Sequence, residues 1–183
     1  MRWKWSGGFA LRTSADTKGD VQRVLRKLEA TDQAQTILRL VANSPHVFRP
    51  FVLLSNSLTY LAKLPAKDRE VVVLYLAHRE GAPYEWEAHL GPARSAGLTE
   101  PQIDALREGR ARSDVGLFDD AQVLAIDLCD HLASGGHLTD DHWHAARTAW
   151  SDEGATDFMF TVAWWGGFVP IVARSLDLQP TQD

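Results

Sequence analysis

The chain has 183 residues, 45% hydrophobic and 23% charged, with a formal net charge of −5, values typical of a soluble globular domain. Acidic and basic residues are mixed along it without a basic stripe, which argues against nucleic acid as a partner. The single cysteine, Cys129, cannot close an internal disulfide or join a thiolate zinc site, so a reducing, cytoplasmic setting is expected.

Residues 1–16 show no helical period and are read as an N-terminal arm. Arg2 and Lys4 precede no apolar segment, so no secretory signal is expected. The main helical domain is placed at 17–178 and a short tail at 179–183. From Asp20 onward, Val21, Val24, Leu25 and Leu28 form one apolar helical stripe, and Ala34, Ile37, Leu38 and Val41 repeat it. Ser44-Pro45 breaks the chain, and Pro50 is expected to open a third helix with Leu54, Leu58 and Leu61 on its apolar face.

Pro65 opens the next helix. Its centre, Val71 to Ala77, has the composition of a buried strand, but it lies in an uninterrupted stretch from Ala66 to Glu80, too long for most strands. Gly81 is its expected stop. Pro83 then starts a helix that runs to about Ala96 and ends at Gly97. Thr99 with Gln102 has the form of a capping box, and Asp119 can cap a helix carrying the stripe Ala121, Leu124, Ala125, Leu128 and Leu132. Thr139 begins a short helix to about Trp150. A last one covers Glu153 to Leu176, with a kink expected at Pro170. The apolar run from Phe158 to Ala173 is interrupted by Gly166, Gly167 and Pro170 and is shorter than the roughly 18–20 residues of a membrane span, so no membrane is implied. The fold class is all-α, with about eight helices.

Chemistry concentrates between Arg69 and Leu98. Glu85 and His89 stand four apart on one helix face, and Glu70 lies on the helix before them. The spacing of Glu70 and His89, with Tyr84-Glu85-Trp86 and the Ala96-Gly97-Leu98-Thr99 tail, resembles the carboxymuconolactone decarboxylase and AhpD-like family. AhpD-like enzymes carry a Cys-x-x-Cys pair before the histidine. Here Ala82 and Glu85 occupy those positions, so the resemblance is to the branch without the redox pair. It implies an AhpD-like bundle assembled as a homotrimer or hexamer. It also implies a cofactor-free lyase, a decarboxylase, or an isomerase acting on a small carboxylated lactone or enolisable carbonyl compound.

His89, Glu85 and Glu70 are the candidate catalytic set, because two carboxylates and an imidazole sharing a buried site can hold and pass a proton. Tyr84, Trp86, Arg49 and Trp165 are candidate substrate contacts: aromatic walls, and a cation for a substrate carboxylate. As isolated residues, the acids also read as helix N-terminal charges and the aromatics as core. A non-catalytic ligand- or partner-binding member is the alternative. A peroxidase is disfavoured, because it needs a thiolate and a resolving thiol, and Cys129 lies within an apolar helix. His131, His137, His142 and His144 lack a ligand spacing diagnostic of a metal, and none is assigned.

Overall fold

The Val-rich segment from Val71 to Leu76 is helix because every side of it is covered. Val71, Val72, Val73, Leu74 and Leu76 are each 0% exposed, and a helix apolar all round belongs inside a core. In the computed structural model, residues 3–4, 10–30, 36–114, 116–175 and 179–180 are described. Ala34, Leu176 and parts of the arm and tail lie outside them. The described chain is helical, apart from two-residue strands β1 (Trp3–Lys4) and β2 (Gln179–Pro180) that pair antiparallel, with Trp3 opposite Pro180. It divides into two compact units, Ser6–Leu61 and Met1–Trp5 with Ala62–Asp183.

In the larger unit, α4 (Ala66–Arg79) is central. Around it stand α5 (Pro83–Ser95), α6 (Glu100–Arg107), α7 (Asp120–Ala133), α8 (Asp140–Ala163) and α9 (Val169–Ser175). Val71, Leu74 and Ala77 join Trp86, Ala93, Ile103, Leu106 and Ile126 in one core cluster. Val72 and Leu76 join Leu64, Leu128, Cys129, Trp150 and Phe158 in another. Each such buried aliphatic side chain contributes about 1.5–3 kcal/mol, so α4 anchors both clusters.

The helix boundaries follow local chemistry. Thr99 with Gln102 and Asp119 with Gln122 form capping boxes, and so does Thr139 with His142. Gly81, at φ 59°, ends α4 and allows the tight passage into α5, where Pro83 takes the first turn. The two helices expected after Thr139 are both present and meet at Ser151, whose φ of 66° and ψ of 175° are not helical. The interruption expected at Pro170 takes the form of a π-helical turn, Trp164–Phe168, just before it. In a regular helix the Pro170 ring would press on the carbonyl of Gly166; the wider turn relieves that clash. The turn lies close on α4: a Cβ on Gly166 would come within 3.2 Å of Leu76.

The continuous stretch Asp140–Ser175 reaches the length and mean hydropathy, 1.2, of a membrane span, and 44% of its apolar window is buried in the protein. A single such stretch is weak evidence for a membrane.

In the smaller unit, α1 (Gly19–Ala30), α2 (Thr36–Val41) and α3 (Pro45–Asn56) lead into a π-helical turn, Ser57–Leu61. Val21, Leu25, Ala42 and Phe48 form its core. The third helix departs from expectation. It opens at Pro45, not at Pro50, which sits inside it. Its buried face consequently carries Phe48 and Phe51, while Leu54 and Leu61 are exposed and only Leu58 of the expected stripe is buried. Residues 10–16 are anchored to this unit. Arg12 donates from its backbone N–H to the Arg39 carbonyl (3.0 Å) and from Nε to Asn43 Oδ1 (2.8 Å), and the Asn43 amide donates to the Ala10 carbonyl (2.8 Å).

Candidate active site

The α4–α5 hairpin brings Glu70, Glu85 and His89 together. His89 Nδ1 is 2.8 Å from Glu70 Oε2, and His89 Nε2 is 3.9 Å from Glu85 Oε2. The side chains of Glu70 and Glu85 are 1% and 6% exposed, and His89, at 15%, is the member that meets solvent. The π-helical turn adds Trp165, whose indole N–H donates to His89 Nε2 across 3.1 Å with the two rings edge to face. Arg69 adds a cation: its Nη2 and Nε donate to Glu70 Oε1 at 2.9 and 3.1 Å.

The two carboxylates are driven in opposite directions. For Glu70, burial acts to raise the pKa. The hydrogen bond and charge of His89 outweigh it, with the charge and hydrogen bonds of Arg69, and its carboxyl ends below the usual range. Glu85 is buried without a hydrogen-bonding partner of this kind. Burial raises it from 4.5 to about 6, with the His89 charge only partly opposing. One carboxylate therefore keeps its charge into acid and the other exchanges its proton near pH 6, which is the separation that acid–base chemistry uses.

The other candidates fall elsewhere. Trp86 is buried in the core cluster with Val71 and Leu74, and the Arg107 guanidinium lies 5.5 Å from its ring centroid. Its place is in the packing beneath the helix. Tyr84 is likewise buried, in the first turn of α5. Arg49 belongs to the smaller unit, where its exposed guanidinium is 3.5 Å from Asp20. There it lines a groove of about 350 Å³ with Arg23, Lys27 and Phe48. Cys129 is fully buried, and burial followed by the nearby Asp130 charge pushes its thiol pKa up, which leaves it inert. His131 and His142 touch at 4.7 Å between centroids, yet His131 Nε2 lies 2.8 Å from the His137 carbonyl and His142 Nδ1 accepts the Thr139 N–H. Both pairs of contacts serve the α7–α8 connection.

Sequence reasoning missed Arg69 as a member of the site. The one available signal was its position beside Glu70: a buried acid needs a compensating charge. Trp165 was legible as an aromatic near glycines, but its hydrogen bond to His89 was not.

The model of the carboxymuconolactone decarboxylase family matches residues 45–115, the segment that holds Glu70, Glu85 and His89. A solved structure described as an uncharacterized peroxidase-related protein from Silicibacter sp. TM1040 superposes with a TM-score of 0.72. It is 16% identical and covers 96% of each chain. At that identity the likeness is one of fold, the all-helical AhpD-like fold expected above. Among curated proteins nothing matches the chain.

Proposed function

We propose, from the match of residues 45–115 to the carboxymuconolactone decarboxylase family model, a cofactor-free acid–base enzyme. It acts as a lyase, specifically a decarboxylase, or an isomerase on a small carboxylated lactone or another enolisable carbonyl compound. The reading rests on one observation: a single imidazole, His89, stands between a carboxylate held charged and a carboxyl raised to about 6.

The chemistry follows from that pairing. Glu70 accepts the Nδ1–H of His89 and stabilises the imidazolium that forms when Nε2 takes a proton, the same logic as a histidine–carboxylate dyad. For an isomerase, Nε2 removes a proton beside the substrate carbonyl, and the C–H electron pair becomes the enolate. For a decarboxylase, the bond to the departing CO₂ breaks and its electron pair flows into the conjugated carbonyl. The resulting dienolate then takes a proton at carbon from Glu85 or His89. Positioned acid–base groups of this kind contribute roughly 10²–10⁴-fold in rate.

The structural neighbour is described as peroxidase-related, but a thiol mechanism finds little support in this chain. Ala82 and Glu85 stand where the two thiols would be, and Cys129 is buried. The same family reading makes the protein a subunit of a homotrimer or hexamer, with a mass readable by light scattering.

The test is a panel of small carboxylated lactones and β-keto acids in deuterated water, scored for CO₂ release and deuterium uptake. His89→Ala is expected to abolish turnover with an unchanged helical CD spectrum. Undiminished turnover in that variant removes the proposal.

A further inference from the structure

Indole nitrogen carries a proton and no available lone pair, so Trp165 can only donate. Its proton points at His89 Nε2 across 3.1 Å, and that nitrogen must therefore be the unprotonated one. Nδ1 faces Glu70 Oε2 at 2.8 Å, a carboxylate oxygen that can only accept, so the imidazole proton sits on Nδ1. We infer that Trp165 is a positioning residue: its indole N–H fixes the tautomer of the neutral His89 imidazole, with the proton on Nδ1 and Nε2 as acceptor, and substrate takes the place of that N–H when Nε2 acts as a base.

The groups around His89 make this assignment necessary. Glu70 faces it from α4, with Arg69 bound to the other oxygen of that carboxylate, Glu85 from its own helix, and Trp165 from the π-helical turn. Glu70 by itself favours the imidazolium. Adding a second proton at Nε2 sets N–H against N–H and strands the indole donor, whose residue is 4% exposed. A buried donor left without a partner is destabilising. Trp165 thus opposes the protonation that Glu70 promotes. Glu85, at 3.9 Å from the same nitrogen, lies beyond a hydrogen bond. The π-helical turn supplies the placement: its wider backbone and Gly166, seated against Leu76, lay Trp165 onto the α4–α5 hairpin.

The value of a fixed tautomer rests on the acid–base function proposed above; the hydrogen-bond assignment does not, and it is tested without substrate. In the ¹⁵N-labelled full chain near neutral pH, His89 should show a protonated Nδ1 and an unprotonated Nε2. A nitrogen–nitrogen coupling across the hydrogen bond should link Trp165 Nε1 to His89 Nε2. Trp165→Phe, which keeps an aromatic ring and removes the donor, should lose the coupling. Trp164→Phe, in the same turn, should leave the His89 spectrum unmoved. A protonated Nε2 in the wild type, or no coupling between Trp165 Nε1 and His89 Nε2, overturns the inference, and the wild-type spectrum decides alone if that variant does not fold. Turnover without the coupling defeats this inference and leaves the enzyme reading intact; the coupling without turnover does the reverse.

Discussion

Glu85→Gln is expected to make the protein more stable above about pH 6 and to leave it unchanged in acid. Burial raises the Glu85 carboxyl from 4.5 to about 6, so the folded protein binds this proton more tightly than the unfolded chain. The stability linked to the group is then fully present below its ordinary value, and it falls as pH rises through the folded value. The displacement is about 1.5 units at about 1.36 kcal/mol each, which gives a loss of about 2 kcal/mol once both states are ionised. Glutamine imitates the neutral acid and does not suffer the loss. Urea unfolding, followed by CD at a series of pH values, measures the difference between variant and wild type at matched m-values. The difference should be near zero at about pH 4, open between about pH 4.5 and 6, and level off at about 2 kcal/mol by about pH 8. A difference that does not vary with pH, or that grows in acid, refutes burial as the force on Glu85.

Glu70→Ala leaves Arg69 and His89 without their shared carboxylate and should cost about 3 kcal/mol near neutral pH. Because the Glu70 pKa is lowered, that deficit should shrink as acid protonates the wild-type carboxylate, and a deficit independent of pH would contradict it. Ser151→Gly should stabilise the protein by about 1 kcal/mol, since φ 66° and ψ 175° belong to glycine's region. The weak Gly154 N–H bond to Ser151 Oγ, at 3.4 Å, offsets only part of the gain, and lower urea resistance would refute the strain argument. Trp150→Phe removes the donor to the buried Asp68 carboxylate (2.9 Å) and should cost about 1–3 kcal/mol by the same measurement. Cys129 should resist a thiol-specific reagent in the native protein and react only on unfolding; rapid native labelling would revive thiol chemistry.

Much of the helical framework is legible because its signals are local. The pairs Thr99 with Gln102 and Asp119 with Gln122, and the stop at Gly81, act within one turn of chain and appear in the structure as read. The third helix was misplaced because Ser44-Pro45 is both a break and a start. A proline that ends one element equally suits the first turn of the next. With Pro45 as that start, the helix buries Phe48 and Phe51 and turns Leu54 outward. Periodicity fixes which residues share a face; it does not say which face finds a partner.

The same distinction governs the site. The i,i+4 spacing identifies Glu85 and His89 as neighbours, and they are, but at 3.9 Å; the close bond at 2.8 Å is to Glu70 on the other helix. That difference gives the two acids their separate characters. An i,i+4 pair on a surface would leave Glu85 with an ordinary carboxyl. Here α5 packs its first turn into the unit, so Glu85 loses water without gaining the bond that Glu70 has already taken. His89 has two ring nitrogens, Glu70 holds one and Trp165 the other, and Glu85 is left without a ring nitrogen to bond, its carboxyl raised to about 6 by burial. Arg69 and Trp165 decide this division. Neither is visible in the Glu85–His89 spacing, because their contacts depend on how α4, α5 and the π-helical turn meet.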